Sequence, residues 1–447
     1  MSEKNNVTLH ESGELKKVLK PIHLWAIAVG LVISGDYYGF SYGFATGGPV
    51  SFLVSFIPVT IMYVTFLFCY TELATSIPHA GGPSAYARKA MGPFAGFITG
   101  FSVLIAFLVS PCAVAITTGA LVNYLIPSIP AVWATVGFFC FFVLINLFGV
   151  KSSSVLELVV TLVSLIGLVV YTAVAAPHFE ASNFFTEPAF TNGFAGVAGA
   201  MTYAMWFYFA IDGAAMQAEE MQNPKKDIPK GYIPAIITLF ITSLIAIFLP
   251  AGIADYREVA KYDYPLAKSL EMAMGVDSVW PKVIAVVALF SMVASFSAIV
   301  LAFSRQSFAM GRTGYLPPAF ARVNKYGCPT VGLLIPAAFA LVLAMTGQTA
   351  VMVTISVFAA LIMYTIVIVT TFILRKNEPN MDRPFKVTYP IVPVVALITV
   401  IILFVCVLVY NIAVLKWVLA VYAVAIVYYM IYGKKYLRPI DEEFNLD

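Results

Sequence analysis

The chain is dominated by twelve apolar runs, most of them long enough to cross a hydrocarbon core of about 30 Å as a helix. Hydrophobic residues make up 61% of the sequence and charged residues 11%, compared with roughly 25% charged residues in soluble domains. A large soluble protein does not accommodate so many buried helices, so the pattern predicts an all-α membrane protein with twelve transmembrane spans. The spans lie near residues 22–47, 50–76, 93–124, 130–150, 154–176, 193–217, 231–253, 280–308, 330–346, 350–374, 388–411 and 413–433.

The positive charges predict how the spans are oriented. If the N-terminus is inside, 21 of the 26 lysines and arginines fall in inner segments, which is the bias of cytoplasmic loops. We therefore expect a multi-pass protein of a plasma or bacterial inner membrane, with cytoplasmic tails at residues 1–20 and 434–447. Residues 1–20 are polar and no small-residue cleavage pattern follows, so no cleavable signal peptide is expected.

Several classes of protein find no support in the sequence. The five cysteines and four histidines do not form metal-ligand spacings, and there is no phosphate-binding glycine loop or nucleophile elbow. A channel would need a continuous polar pore, which a few isolated acids do not supply. The net charge of +3 reflects the inner bias and does not indicate nucleic-acid binding. We expect a lipid-embedded secondary transporter without metal or cofactor, with a channel or a membrane-embedded enzyme as the alternatives.

Spans 1 and 6 are each interrupted by an acid beside a glycine, in "ISGDYYG" (residues 33–39) and "FAIDGAAM" (residues 209–216). Broken helices at corresponding places in two halves are typical of an inverted repeat with a midplane binding site. The pattern predicts a five-plus-five arrangement with repeats at 21–176 and 193–374 and two further helices at 388–433. We expect both spans to be unwound, around Gly35–Asp36 and Ile211–Gly213, and to face each other across a central cavity.

Two stretches resemble signatures of the amino acid–polyamine–organocation (APC) transporter superfamily. They are "ELATSIPHAGGPSAYARKAMGPFAGFITGF" at residues 72–101 and "AEEMQNPKKDIPKGY" at residues 218–232. The resemblance covers essentially the whole chain. It implies a LeuT-type inverted-repeat fold with broken helices 1 and 6, and alternating-access transport of an amino acid or amine. Within the superfamily, "SGDYYG" and the "ELVVTLV" of span 5 are most similar to the ethanolamine permease branch.

Asp36 is the first candidate ligand, because a carboxylate inside a span costs about 2.5–3.5 kcal/mol on insertion scales and usually faces a cavity. Alternatively it caps a broken helix by accepting free backbone N–H groups. The resemblance implies that amino acid transporters hold the substrate carboxylate with a glycine-rich break in span 1. This chain has Ser34, Gly35, Asp36 and Tyr37 there, and the negative charge favours an amine or amino alcohol. A zwitterionic amino acid remains the alternative substrate.

The second interruption supplies Asp212, either as a ligand or as a cap of the second half-helix. The resemblance places Trp206 at the aromatic gate position, and Phe209 lies three residues later. A cation held against such ring faces gains about 0.5–2 kcal/mol. These residues complete the predicted substrate site.

The coupling ion is predicted to be a proton or sodium. Many members of the superfamily have a lysine in span 5, and the resemblance places Ser164 at that position. Glu157 in the same span could exchange a proton or hydrogen-bond to a neighbouring helix. Ser295 and Ser297 in span 8 could bind sodium, although serines in spans often join helices.

Four charged residues lie at the inner ends of spans 2 and 6: Arg88, Lys89, Glu219 and Glu220. They form either a solvated cytoplasmic rim or an ion-pair network that closes an inner gate.

Overall fold

A computed structural model of the chain describes residues 17, 19–148 and 153–439. In these residues the regular structure is helical, apart from one isolated parallel bridge between Leu19 and Met221. The predicted inner loop at Gly149–Lys151 and most of both predicted tails lie outside the described residues.

Sixteen α-helices follow one another in the described part of the chain. They are α1 (Pro21–Tyr38), α2 (Phe40–Ser76), α3 (Pro83–Met91), α4 (Pro93–Leu125), α5 (Ala131–Asn146), α6 (Ser153–Ala175), α7 (Ala181–Phe184), α8 (Gly193–Ala204), α9 (Pro224–Ile253), α10 (Tyr256–Val259), α11 (Pro265–Met274), α12 (Trp280–Thr313), α13 (Thr330–Ala344), α14 (Thr349–Asn377), α15 (Ile391–Tyr410) and α16 (Ile412–Tyr428).

Nine helical segments of the described residues are long and apolar enough to cross a membrane. One of them joins α8 to a 3₁₀ helix, Ile211–Glu220, while α5 and α13 are shorter apolar helices. Each of the twelve predicted spans coincides with one of these elements or with α1. The all-helical membrane class is therefore confirmed, whereas the number of crossings stays a prediction.

The helices differ in how deeply they are enclosed. In the most apolar stretch of Gly193–Glu220, 83% of the residues are buried, compared with 17% in that of Ile412–Gly433. The second segment exposes large apolar side chains, including Trp417 and Val424. Such a surface suits contact with lipid chains. The interrupted span therefore lies at the centre of the molecule and α16 at its periphery.

Glycine and proline set the boundaries between α2, α3 and α4. Pro83 and Pro93 occupy first-turn positions, where the missing N–H of proline sacrifices no helical hydrogen bond. Gly82 (φ +46°) and Gly92 (φ +86°) precede them in backbone conformations that favour glycine. The predicted end of span 2 before the double glycine is confirmed, because α2 ends at Ser76.

The boundary between spans 1 and 2 is a sharp kink inside α2. Gly48 has φ 77° and ψ 172°, which no helical residue adopts. This position agrees with the gap predicted between residues 47 and 50. In the second half, α9 begins at Pro224, before the predicted start of span 7 at residue 231. Pro224 therefore starts span 7, whereas the 3₁₀ helix of span 6 ends at Glu220.

The predicted interruption of span 6 is confirmed. α8 ends at Ala204 and is followed by a 3₁₀ turn, Met205–Phe207, and then by the 3₁₀ helix that contains Asp212. Ala210 lies between them with φ 70°, a left-handed conformation that costs a residue other than glycine roughly 1–2 kcal/mol. The neighbouring structure must therefore hold this break in place.

The predicted unwinding of span 1 is wrong. Gly35 and Asp36 lie inside α1, and the amide of Gly39 donates to the carbonyl of Gly35 at 2.9 Å. Gly39 itself has helical angles (φ −61°, ψ −29°) where α1 passes into α2. An acid beside a glycine thus accompanies a break in span 6 but not in span 1.

Candidate functional site

α1 meets the interrupted span at Trp206. A Cβ added to Gly35 would lie 2.7 Å from the carbonyl oxygen of Trp206, and one added to Gly39 would lie 2.6 Å from its ring atom Cδ1. These glycines are four residues apart and share one face of α1. They are needed for close packing rather than for unwinding, which explains the wrong prediction. At this point the two spans touch directly instead of facing each other across a cavity.

We expect Gly35→Ala to lower the melting temperature of the purified protein, because its methyl group meets a backbone carbonyl that has little freedom to move. Overpacking of this kind typically costs about 1–3 kcal/mol. Gly137→Ala in α5 is the matched control, since a Cβ there meets nothing within 4 Å. Thermal unfolding in detergent provides the measurement. Equal melting temperatures for the two variants would contradict the packing role of Gly35.

Trp206 is held by its neighbours on both spans. Its Nε1 donates to the hydroxyl of Tyr38 at 2.9 Å, and its ring stacks on Phe209 with centroids 4.7 Å apart. The ring of Tyr38 meets it edge-on at 6.3 Å. The structure therefore brings two predicted site residues together against α1, while the gating role of Trp206 stays a prediction.

Asp36 is fully buried in the middle of the fold. The hydroxyl of Ser243 in α9 lies 3.3 Å from Oδ1 and shares its one proton between this oxygen and the carbonyl of Leu239 at 2.7 Å. Oδ2 has no hydrogen-bond partner among the described residues. Because Asp36 lies within a continuous helix, there are no freed N–H groups for it to cap, and that alternative is wrong. The carboxyl group keeps unused acceptor capacity.

Asp212 lies in a cluster of tyrosines. Tyr364 donates to its Oδ1 at 3.2 Å and in turn accepts from Tyr63 at 3.2 Å. The backbone carbonyl of Asp212 accepts from Tyr70 and Tyr232 at 3.1 and 3.2 Å. Its Oδ2 has no partner among the residues described. α2, α9 and α14 thus converge on the break of span 6, with a second partly bonded acid at the centre.

Tyr37 and Ser164 join α1 to α6. The hydroxyl of Tyr37 donates to the backbone carbonyl of Ser164 at 2.6 Å. The Ser164 hydroxyl donates within its own helix, to the carbonyl of Val160 at 2.8 Å. Both predicted residues are therefore engaged in joining or stabilising helices.

Ser295 joins α12 to α1. Its hydroxyl donates to the carbonyl of Gly30 at 2.7 Å and accepts from the amide of Ser34 at 3.2 Å. Ser295 therefore joins the two helices, and its binding of sodium stays a prediction. Ser297 lies two residues later, about 200° around the helix, so it is on a different face.

Glu157 is buried in α6 against α1. A Cβ on Gly30 would lie only 2.1 Å from Glu157 Oε1, so glycine makes room for the carboxyl group. Oε1 has no hydrogen-bond partner in the described part of the chain. One turn later, Thr161 donates to the carbonyl of Ala26 at 3.2 Å. The face of α6 that meets α1 is therefore polar, with Glu157 as its ionisable member.

The acids after span 6 are paired rather than solvated. Glu220 lies 2.5 Å from Arg305 and is 7% exposed, and Glu219 lies 3.4 Å from Arg312. Glu219 also accepts from the amide of Ala80 at 2.8 Å. These ion pairs tie the end of span 6 to α12, as a network of charges would, and its role as an inner gate stays a prediction.

The two basic residues of the predicted network contact other partners. The guanidinium of Arg88 lies 5.7 Å from the ring centroid of Tyr315 and donates to the carbonyl of Arg438. Lys89 pairs with Glu378 at 3.4 Å. The four charges predicted as one group therefore form separate clusters.

His79 lies beside the ion pair of Glu219 and Arg312. Burial, with Arg312 beside it, lowers the pKa of His79 to about 4, so the ring is neutral near pH 7. Nδ1 accepts from the amide of Gly81 at 2.9 Å, and Nε2 lies 3.4 Å from Arg312 Nη2. A neutral ring accepts at only one nitrogen, so with Nδ1 accepting from Gly81 the proton is on Nε2, which contacts the guanidinium without accepting from it.

Sequence reasoning missed the residues that hold the predicted ones. Ser243 contacts Asp36, Tyr364 contacts Asp212, and Tyr38 contacts Trp206. Ser243 and Tyr364 are polar interruptions in the apolar runs "LFITSLIAIF" and "LIMYTIVIV". Such interruptions mark helix faces that do not meet lipid, but they do not say which residue they contact.

Three known proteins similar to the chain indicate what kind of protein it is. An uncharacterized transporter of Rhizobium meliloti (strain 1021) is 25% identical over 82% of this chain and 80% of its own length. The branched-chain amino acid permease BcaP of Bacillus subtilis (strain 168) is 24% identical over 96% of each chain. The methylthioribose transporter of the same organism is 25% identical over 86% of this chain and 87% of its own.

A family model also matches the chain. The sequence model of the family described as "Amino acid permease" matches residues 19–433, nearly the whole chain. It includes α1, the interrupted sixth span and the clusters around Asp36, Asp212 and Glu220. The chain therefore belongs to the amino acid permease family of the APC superfamily, and it is a multi-pass membrane transporter rather than an enzyme.

Proposed function

We propose that this permease carries a small solute with a primary ammonium group, such as ethanolamine, and that Asp36 binds that group. The observation that carries the proposal is the incomplete bonding of Asp36, a fully buried acid with a free Oδ2. None of the ion pairs among the described residues includes it. A buried charge without a partner is strongly unfavourable, and a ligand cation would compensate it.

Because α1 is a continuous helix, it favours a solute recognised through an ammonium group rather than through a carboxylate. Backbone N–H groups around Gly35 and Asp36 lie inside a helix, where they donate to earlier carbonyls. No lysine or arginine occurs at residues 21–87 or 152–224, which contain α1 and the interrupted span. These segments therefore offer a ligand negative charge rather than positive charge.

The aromatic residues beside α1 support the same assignment. Tyr38, Trp206 and Phe209 form a continuous set of rings next to the turn that carries Asp36. Ring faces stabilise a nearby cation by about 0.5–2 kcal/mol. In this structure these residues are closed off from the surface, so we propose that alternating access opens them to either side.

A zwitterionic amino acid is the second candidate, and the family itself favours it. BcaP is named for branched-chain amino acids. With such a substrate, Asp36 would bind the amino group, and the interrupted backbone of span 6 would have to receive the carboxylate.

Counterflow in proteoliposomes tests the proposed function. Vesicles preloaded with unlabelled ethanolamine should accumulate labelled ethanolamine transiently above its external concentration, and empty vesicles should not. Labelled alanine and leucine are the comparison. Counterflow of an amino acid that ethanolamine does not inhibit would contradict the amine assignment and favour the second candidate.

For the architecture we propose the LeuT-type arrangement, with repeats at 21–176 and 193–374 and α15 and α16 outside them. The break at Ala210 in the sixth span supports it. The corresponding place in the first half is the passage of α1 into α2 at Gly39. The inner charge bias supports cytoplasmic termini.

For the coupling ion we propose a proton carried by Glu157. The carboxyl group is buried, lacks an ion-pair partner among the described residues, and packs on α1 at Gly30. A change in its charge would therefore act on the same helix that carries Asp36. The sodium alternative has less support, because the hydroxyl of Ser295 already bonds to two backbone groups.

We expect Glu157→Gln to remove the stimulation of uptake by an inward pH gradient, because glutamine keeps the shape but binds no proton. Ethanolamine binding should persist, since Asp36 is unchanged. Glu187→Gln, a substitution of an exposed acid between α7 and α8, is the control. Uptake into proteoliposomes with and without a gradient measures the effect. Gradient-driven uptake that persists in Glu157→Gln would remove this residue from coupling.

A further inference from the structure

After α16 the chain folds back onto the C-terminal end of α12. Residues 436–438 cross Gly314, which directly follows α12, and a Cβ added to Gly314 would lie 2.1 Å from the carbonyl oxygen of Tyr436. Gly314 has φ +93°, so this turn needs glycine both for its backbone angles and for the space that the crossing segment takes. We call residues 436–438 the C-terminal strap.

Backbone hydrogen bonds hold the strap on two sides. The amide of Arg438 donates to the carbonyl of Thr313 at 3.1 Å, and the carbonyl of Arg438 accepts from the guanidinium of Arg88 in α3. Leu437 is partly buried against the apolar cluster that contains Tyr315. The strap therefore joins the end of α12 to α3.

The same end of α12 carries the arginines that hold span 6. Arg312 pairs with Glu219 at 3.4 Å, and Arg305, two turns earlier, pairs with Glu220 at 2.5 Å. The backbone carbonyl of Glu220 also accepts from the amide of Leu19, just before α1, at 2.9 Å. A displacement of this end of α12 would therefore loosen the ends of spans 1 and 6 together.

The strap itself is little enclosed by the rest of the fold. Tyr436 is 52% exposed, and Lys434, Lys435 and Arg438 are exposed as well. Segments with few buried contacts open at a lower free-energy cost than the core of a protein. The strap is therefore able to detach while α12 and α16 stay folded.

We propose that the C-terminal strap stabilises the closed state of this end of the protein. While it is bound, it holds the end of α12 and keeps the ion pairs with span 6 in place. When it detaches, α12 is freer to move and the closed end opens more often. A contact that is made in only one of two states shifts the populations toward that state.

Hydrogen exchange, followed by mass spectrometry of the purified protein, tests the inference without a ligand, so its failure leaves the proposed function intact. Gly314→Ala places a methyl group against the strap backbone and should displace the strap. Amides at 436–438 should then exchange faster. Those at 211–222 should exchange about tenfold faster, because two hydrogen bonds that oppose opening are lost.

Gly347→Ala is the matched control. Gly347 also follows a helix, α13, and has φ +68°, but a Cβ there meets nothing within 4 Å. The control therefore carries the backbone cost of alanine in a left-handed conformation without the clash. Its exchange at 436–438 and 211–222 should equal that of wild type.

A second variant keeps the test independent of Gly314. Leu437→Ser removes the apolar contact of the strap and leaves α12 unchanged, and Lys434→Ser, at an exposed position, is its control. Peptides of α4 should exchange as in wild type, so that faster exchange at 211–222 reports local opening rather than unfolding. The expected result is faster exchange at 211–222 in both strap variants and in neither control. A rise that is missing in either strap variant, or that the controls share, would overturn the inference.

Discussion

Asp36→Asn is expected to weaken ethanolamine binding ten- to a hundredfold. A hydrogen bond to a charged partner contributes about 1.5–3 kcal/mol, and each 1.4 kcal/mol corresponds to about tenfold in affinity. Asparagine keeps the shape of the side chain and its acceptor for Ser243. Binding of neutral amino acids should fall less, because the repulsion of their carboxylate is relieved as the attraction of their amino group is lost.

The same variant should not lose stability. In the absence of substrate, Asp36 is a buried acid without an ion-pair partner among the described residues, and a neutral isostere removes that unfavourable charge. We expect its melting temperature to equal or exceed that of wild type. Ser243→Ala is the control, because it removes the hydrogen bond but keeps the charge, and it should bind ethanolamine with little change. A large loss of stability with unchanged affinity would make Asp36 a structural residue.

Glu72→Gln is expected to cause the largest loss of stability among these variants. Glu72 lies one turn before the end of α2, is 2% exposed, and accepts from Arg375 at 2.7 and 2.6 Å in a bidentate pair. Arg383 lies 3.5 Å away, and the amide of Val387 donates to Oε2 at 2.9 Å. Removing one partner of a buried ion pair typically costs about 3–5 kcal/mol, because the opposite charge is left uncompensated.

Thermal unfolding in detergent measures this loss. Glu378→Gln is the matched control, since its pair with Lys89 is more exposed and such pairs contribute about 1 kcal/mol or less. The control should unfold close to wild type and Glu72→Gln far below it. A melting temperature of Glu72→Gln equal to that of the control would show that this cluster does not hold α2 to α14.

The helices of this protein were largely predictable from its sequence, because membrane spans follow from the length of apolar runs. The kink at Gly48 and the end of α2 at Ser76 agree with the predicted boundaries, since glycine and proline act through their own backbone geometry. The break in span 6 was also predicted correctly, although its left-handed residue is Ala210 rather than the glycine.

The candidate site was predictable only in part. Asp36 and Asp212 stand out as acids in apolar runs, but their partners Ser243 and Tyr364 come from distant helices that local patterns do not identify. Gly35 shows the limit most clearly. A glycine in a span permits either a break or a close contact, and the sequence alone does not say that Trp206 packs on it.

The charges after span 6 show a related limit. The sequence placed Glu219 and Glu220 near positive residues, but Arg88 is equally close in the predicted topology and contacts Arg438 instead. Which charges pair depends on the ends of α3 and α12, and therefore on helix packing rather than on sequence spacing.

The central claim, that Asp36 recognises an ammonium group, is tested most directly by a cycle that varies the charge of both partners. Affinities of wild type and Asp36→Asn are measured for ethanolamine and for 1-propanol, in which a methyl group replaces the ammonium. Wild type should prefer ethanolamine, and the preference should fall ten- to a hundredfold in Asp36→Asn, because only the wild-type pair joins opposite charges. An equal preference for ethanolamine in both proteins would contradict the account.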